Sequence, residues 1–175
     1  ADAAADRARA IRAGLVVALG GGSALDLGKA VAGIATASAS AQAYELAKAP
    51  FRVRTLPVVA IPTTSGTGSE LTRTAILTRS DKAKVWLWGD AIKPAAVILD
   101  PETTLSLPPS LTASTGIDAL VHALEAATNA NATAANNVYA LEAIRLAARH
   151  LEAAVSDGGD LVARDGLQRA AALAG

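Results

Sequence analysis

The sequence predicts an α/β fold with a parallel sheet, followed by an all-helical part. Up to about residue 108, short apolar runs bounded by glycine or proline alternate with helix-like segments. Beyond Leu111, apolar residues recur at a period near 3.6 over three successive stretches. We therefore expect residues 1–108 to belong to an α/β domain and residues 109–175 to begin a helical domain, with the boundary at the segment LPPS.

Three elements open the α/β part. An Ala/Arg-rich helix is predicted over residues 1–13, a buried strand over LVVAL (15–19) and a second helix from Ser23 to Ala35. The alanine-rich polar segment 37–51 is expected to form a connection. It leads to another buried strand, LPVVAIP (56–62), which a proline closes.

The remaining elements divide into strands and helices. ELTRTAILT (70–78) and KVWLWG (84–89) have the β-branched and aromatic content of strands, with the turn-like RSDK between them, and AAVILDP (95–101) is a further apolar run. The three helices predicted for the second part are LTASTGIDALVHALEAATNA (111–130), AANNVYALEAIRLAARHLEAAV (134–155) and LVARDGLQRAAALAG (161–175).

Composition excludes several classes of partner. The chain has 175 residues, of which 51% are hydrophobic, and its 16 Lys and Arg balance 16 Asp and Glu, so no net field favours nucleic acid or an anionic membrane. No apolar run reaches the roughly 18 residues of a membrane span. The absence of cysteine removes disulfides and thiolate metal sites, which favours a cytoplasmic protein.

The glycine-rich turn GGGS, residues 20–23, lies between a strand and a helix. This geometry presents backbone N–H groups and the positive end of a helix dipole to an anion, usually a phosphate. The alternative is structural: Ser23 and Asp26 could form a capping box, with the glycines making a tight turn. G-x-G-x-x-G is not matched, so the turn alone leaves both interpretations open.

A second loop, IPTTSGTGSE (61–70), also follows a buried strand. Its hydroxyl groups can bind ribose, phosphate or a carboxamide, or they can satisfy the backbone of the loop itself. Two such loops, each after a strand, favour a ligand crevice at the strand ends of an α/β sheet.

Asp118 and His122 are four residues apart on a predicted helix, so their side chains project from one face. A carboxylate and an imidazole make half of a site for Fe²⁺ or Zn²⁺, or they form a local hydrogen-bonded pair. His150 lies among charged residues and is expected to be solvated, with no ligand role.

Together, the segments GGGSALDLGKA, IPTTSGTGSE and ILDPETTLSLPPSLTASTGIDALVHALEA resemble the iron-containing, or group III, alcohol dehydrogenases. The resemblance implies a dehydroquinate synthase-like architecture. In it, a Rossmann-like, dinucleotide-binding α/β domain precedes a helical metal-binding domain, with the active site in the cleft between them.

The resemblance also implies roles for individual residues. Gly21, Gly22 and Ser23 would contact the pyrophosphate of NAD or NADP, and further cofactor contacts would come from Thr63, Thr64, Thr67, Ile76 and Lys84. Asp118 and His122 would be the first two ligands of Fe²⁺, with Zn²⁺ as the alternative metal. The family needs two more histidines further downstream, so we expect the chain to be the central part of a protein about twice as long.

The implied activity is hydride transfer between a nicotinamide cofactor and a small alcohol or its aldehyde or ketone, in a cytoplasmic homodimer without nucleic acid or membrane partners. Glycerol dehydrogenases and maleylacetate reductases are related alternatives; the latter typically lack the metal pair. A non-catalytic nucleotide-binding module, or a structural fragment that binds neither ligand, is the alternative from another class.

Overall fold

The computed structural model describes residues 1–51 and 55–175. The chain forms two compact units: the first contains Ala1–Ile61 and Ser69–Ile98, and the second contains Pro62–Gly68 and Leu99–Gly175. The sequence changes character near residue 108, whereas the second unit already includes the chain from Leu99. The division into domains at residues 108 and 109 remains a prediction.

The first unit is built from two helices, a small sheet and a hairpin. Its sheet has the strand order β1-β2-β5, in which β2 and β5 are parallel with Val59 opposite Ala96, and β3 and β4 form an antiparallel hairpin. The elements are α1 (Asp2–Ala10), β1 (Val16–Gly20), α2 (Gly22–Ala35), β2 (Val58–Pro62), β3 (Thr74–Thr78), β4 (Lys84–Trp88) and β5 (Ala96–Val97), with 3₁₀ turns at Ala41–Ala47 and Asp90–Ile92.

Helix α2 is the centre of the first unit because it has two apolar faces. Leu25 and Ala32 pack with Ala18 and Val58 of the three-stranded sheet. Ile34 belongs to a second cluster that includes residues of the hairpin and of α1. A helix that is apolar on both sides is expected to be buried, and its N-terminal turn is thereby held firmly against β1.

The second unit is helical, with α3 (Pro109–Thr128), α4 (Ala134–Ser156) and α5 (Leu161–Ala174) after a 3₁₀ turn at Pro101–Thr104. Its core consists mainly of alanines with Leu167, and such small side chains let helices approach closely. The buried Arg164 donates to the Thr112 hydroxyl at 2.8 Å and to the Leu107 and Gly158 carbonyls, which ties α5 to the start of α3.

These features confirm the predicted fold class, an α/β part with a parallel sheet followed by an all-helical part. One local prediction needs correction: the strand expected over 70–78 begins only at Thr74. The apolar run 95–101 contains a strand of two residues, and the connection over 37–51 contains a 3₁₀ turn. Within the described residues, no helix is both long and apolar enough to cross a membrane.

Candidate nucleotide and metal sites

The glycine turn joins β1 to α2 without a side-chain cap. Gly20 ends the strand at φ +145°, and a Cβ there would lie 2.7 Å from the Cβ of Ala24. Gly21 is the extended N-cap residue, and its carbonyl accepts the first helical hydrogen bonds, including that from Ala24. The N–H groups of Gly22 and Ser23 precede these bonds, at the positive end of the helix dipole. The turn therefore suits an anion such as a phosphate.

The capping-box interpretation of Ser23 and Asp26 is wrong. The helix begins at Gly22, ahead of Ser23, and no side chain caps it. The Asp26 carboxylate instead accepts hydrogen bonds from the Ser69 hydroxyl at 2.6 Å and from the Ile76 N–H at 3.0 Å. Asp26 therefore connects α2 to the hairpin.

Lys29 completes a buried polar cluster with Asp26. The ammonium of Lys29, which is 1% exposed, lies 3.0 Å from the Asp26 carboxylate. It also donates to the hydroxyl and carbonyl of Ser69 at 2.7 and 2.8 Å, to the Thr72 hydroxyl and to the Thr74 carbonyl. Helix α2 supplies both charges and segment 69–76 supplies the other partners, so the cluster fixes the hairpin against the helix.

Glu70 lies next in the chain to this cluster and is also buried, at 2% exposure. Burial raises the pKa of the Glu70 carboxyl, while a backbone hydrogen bond and the charge of Lys29 act in the opposite direction. For Lys29, burial lowers the pKa of the ammonium, and the neighbouring Asp26 opposes that shift. Neither Lys29 nor Glu70 was predicted as a functional residue. The two charges three residues apart in the apolar helix ALDLGKAVAG, those of Asp26 and Lys29, do indicate a buried pair, whereas no such signal marks Glu70.

A cavity of about 700 Å³ brings together three of the predicted cofactor-binding residues, Ser23, Ile76 and Lys84. Leu27 and Arg79 also line it. Among the described residues, Lys84 takes part in none of the salt bridges, whereas Arg79 pairs with acidic side chains. The wall also contains three carboxylates, of which those of Glu45 and Asp81 pair with Arg79 and the third is that of Asp2. The helix start at Ser23 and the cation of Lys84 are the groups in this wall that can bind a phosphate. Gly21 and Gly22 lie in the adjoining turn but are not among its lining residues.

The loop over residues 61–70, the hydroxyl loop, lies mainly in the second unit, where Pro62–Gly68 carries Thr63, Thr64 and Thr67. It is packed closely against two helices. A Cβ on Gly66 would lie 2.8 Å from the Cβ of Thr115 on α3, and a Cβ on Gly68, at φ +60°, would lie 2.6 Å from the carbonyl oxygen of Ala171 on α5. No side chain fits at these contacts, so the loop has a fixed backbone path.

Asp118 and His122 lie on α3 as the sequence predicts, with the Asp118 Oδ1 and the His122 Nε2 3.7 Å apart. Their side chains are 44% and 37% exposed. Two ligands about 2.1 Å from a tetrahedral ion lie about 3.4 Å apart, so the donor types and their spacing fit half of a divalent metal site. In the part of the chain that the structure describes, no group of three or more His, Cys, Asp or Glu side chains completes it.

The predicted site residues are thus divided between the units. Gly21, Gly22, Ser23, Ile76 and Lys84 lie in the first unit, and the three loop threonines lie with Asp118 and His122 in the second.

His150 is not solvated as expected. It is half-buried, and a Cβ on Gly166 of α5 would lie 2.2 Å from its imidazole ring. This contact could not be predicted from local sequence, because it depends on which face of α4 meets α5.

Comparison with known proteins finds relatives over most of the chain. The chain is 45% identical over 163 residues to choline dehydrogenase of Bacillus subtilis (strain 168), covering 91% of this chain and 40% of the relative. It is 42% identical to long-chain-alcohol dehydrogenase 1 of Geobacillus thermodenitrificans (strain NG80-2), covering 92% and 41%. The chain therefore spans less than half the length of these relatives.

A similar solved structure is that of sulfoacetaldehyde reductase from Bifidobacterium kashiwanohense in complex with NAD⁺. It superposes with a TM-score of 0.94 at 36% identity, covering 99% of this chain and 46% of that protein. The family described as iron-containing alcohol dehydrogenase matches residues 1–101, and its C-terminal domain matches residues 112–175. The chain belongs to the iron-containing alcohol dehydrogenase family.

Proposed function

We propose that the protein is an NAD(P)-dependent, metal-assisted oxidoreductase that interconverts a small alcohol and its aldehyde or ketone by hydride transfer. The observation that carries this proposal lies in the second unit. Gly66 of the hydroxyl loop lies against Thr115, which is three residues before Asp118 on the same helix. The hydroxyl loop, which can bind a carboxamide, therefore packs against α3, the helix that carries Asp118 and His122. The helix holds the loop and the metal-binding pair close to each other.

The residues have separate tasks in this proposal. Gly21, Gly22 and Ser23 bind the diphosphate of the cofactor through backbone N–H groups and the Ser23 hydroxyl. Ile76 and Lys84 line a wall of the cavity that also contains Ser23, and Lys84 contributes a positive charge to it. The Asp26–Lys29 cluster holds this wall in place through the Ile76 N–H.

The loop threonines, Thr63, Thr64 and Thr67, orient the nicotinamide half through their hydroxyls, and Asp118 and His122 hold Fe²⁺, with Zn²⁺ as the alternative. When bound, the metal supplies Lewis acidity toward the substrate oxygen and the nicotinamide supplies or accepts hydride. We further propose NAD as cofactor, with NADP as the alternative, a homodimer, a cytoplasmic location and domains over residues 1–108 and 109–175.

A titration of the purified full-length protein with NAD⁺, with and without Fe²⁺ or Zn²⁺, tests the proposal. We expect cofactor binding, metal binding and a metal-dependent change in nicotinamide absorbance with a short primary alcohol. The variant D118N/H122N should lose metal binding and activity but keep NAD⁺ binding. The matched control D165N, which removes an exposed carboxylate on α5, should keep all three.

Two outcomes would overturn the proposal. Cofactor binding without metal binding in the parent protein favours a non-catalytic nucleotide-binding module. If neither ligand binds, the chain has a structural role. Glycerol dehydrogenase activity would instead appear as a preference for glycerol over monohydric alcohols in the same absorbance assay.

A further inference from the structure

The outer face of the β3–β4 hairpin carries both tryptophans of the chain. In the antiparallel register, Ile76 lies opposite Trp86 and Thr74 lies opposite Trp88, so these four side chains share one face. The opposite face is buried, with Leu87 in the core of the first unit. Trp86 and Trp88 remain 45% and 43% exposed. An exposed pair of large aromatic rings is unusual and often marks a binding surface.

The two rings differ in their partners. The Arg73 guanidinium lies 4.3 Å from the ring centroid of Trp88, and Asp90 holds that guanidinium through a 3.0 Å ion pair. One face of Trp88 is therefore covered. Across residues 1–51 and 55–175, the ring of Trp86 has neither a stacked aromatic nor a cationic partner. Trp86 is thus the ring that is available to an external ligand.

A second cavity, of about 500 Å³, lies along this face. It is lined by Thr74, Ile76, Lys84, Val85 and both tryptophans. Ile76, Lys84 and Val85 also line the cavity that contains Ser23. The two cavities therefore share a wall: one offers a helix start and a cation, and the other offers an apolar, aromatic surface. A single ligand with an anionic centre and a flat ring matches both.

We propose that the indole of Trp86 stacks on a planar heteroaromatic ring of the dinucleotide whose diphosphate binds at Gly21–Ser23. This inference rests on the proposed function, since it requires that the protein bind a dinucleotide. Ring stacking needs no hydrogen-bond partner, which fits the mainly apolar lining. Ile76, opposite Trp86 in the hairpin, flanks the indole on the same face.

Tryptophan emission reports this contact directly because the chain has two tryptophans. The variant W88F keeps Trp86 as the reporter, and W86F keeps Trp88. We expect NAD⁺, which does not absorb at the wavelengths of tryptophan emission, to quench W88F strongly and W86F weakly, at the concentrations at which NAD⁺ binds in calorimetry. Titration with AMP and with nicotinamide mononucleotide shows which ring stacks, since only the fragment that carries it should quench W88F.

Affinity provides the second measurement. W86A should weaken NADH binding about tenfold, whereas W86F should retain most of the affinity because phenylalanine also stacks. Y139A, which removes an exposed aromatic ring from α4, is the matched control and should bind as the parent does. If the parent binds NADH but W86A binds equally well and W88F is not quenched, this inference is wrong. If the parent itself shows no binding heat, the proposed function fails first.

Discussion

Replacing Lys29 by Met tests the buried cluster that holds the hairpin against α2. Methionine keeps the length and the apolar stem of lysine, so the change removes mainly the ammonium. Among the described residues, the Asp26 carboxylate, 3.0 Å away, then keeps two donors, the Ser69 hydroxyl and the Ile76 N–H. Removing one partner of a buried ion pair typically costs about 3–5 kcal/mol, because the other charge stays buried without compensation. We expect K29M to lower the free energy of unfolding by about that amount.

Urea denaturation followed by circular dichroism measures this change as a shift in the transition midpoint. K93M is the matched control, since Lys93 is exposed, and it should change the free energy of unfolding by less than about 0.5 kcal/mol. The double variant D26N/K29M should lose less than the sum of the single variants, because the two groups contact each other. A loss below about 1 kcal/mol for K29M, or additivity in the double variant, would refute the assignment of a coupled buried pair.

Three further predictions concern other buried positions. Burial raises the pKa of the Glu70 carboxyl above its ordinary value of 4.5, so above about that pH the folded state binds more protons than the unfolded state. The free energy of unfolding should therefore fall as the pH rises from that value. E70Q should remove this pH dependence from unfolding midpoints measured between pH 4 and 8. Gly68→Ala places a Cβ 2.6 Å from the Ala171 carbonyl oxygen at φ +60° and should cost more than about 2 kcal/mol, whereas Gly14→Ala, which meets nothing within 4 Å, should cost less than about 0.5 kcal/mol by the same denaturation. Gln168→Leu removes a buried Oε1 that lacks a donor, but also the Nε2 that donates to the Pro62 and Asp100 carbonyls, so it should lower the unfolding free energy by about 1–3 kcal/mol, and Gln168→Glu, which buries a charge facing those carbonyls, should lower it further.

The order of helices and strands could be predicted from sequence because hydrophobic period and glycine or proline punctuation are local signals. The segment before Thr74 shows where this fails. Residues 70–73 have partly strand-like composition. The hydroxyls of Thr72 and of the preceding Ser69 nevertheless accept hydrogen bonds from the Lys29 ammonium. That tertiary cluster overrides the local preference for extended pairing.

The candidate sites could be predicted to a similar extent. The spacing of Asp118 and His122 places them together because four residues make about one helical turn. One cavity is lined by Ser23, Ile76 and Lys84, and only the family resemblance implied this. No local pattern could predict it, because the hairpin lies far along the chain from the glycine turn. The exposed face that carries Trp86 could not be predicted without the register of β3 and β4, because the apolar pattern of KVWLWG does not specify that register.

The Asp26 carboxylate links the open helix start to the wall of the cavity. Had Asp26 capped the turn, as its spacing from Ser23 allows, it would have competed with a ligand for the first N–H groups of α2. With Gly21 as the N-cap residue, the missing side-chain cap costs only a few tenths of a kcal/mol of helix stability. By turning toward the Ile76 N–H instead, Asp26 leaves the turn free for an anion and fixes the strand that faces it. The orientation of this one side chain therefore leaves the helix start uncapped and also ties the hairpin to α2.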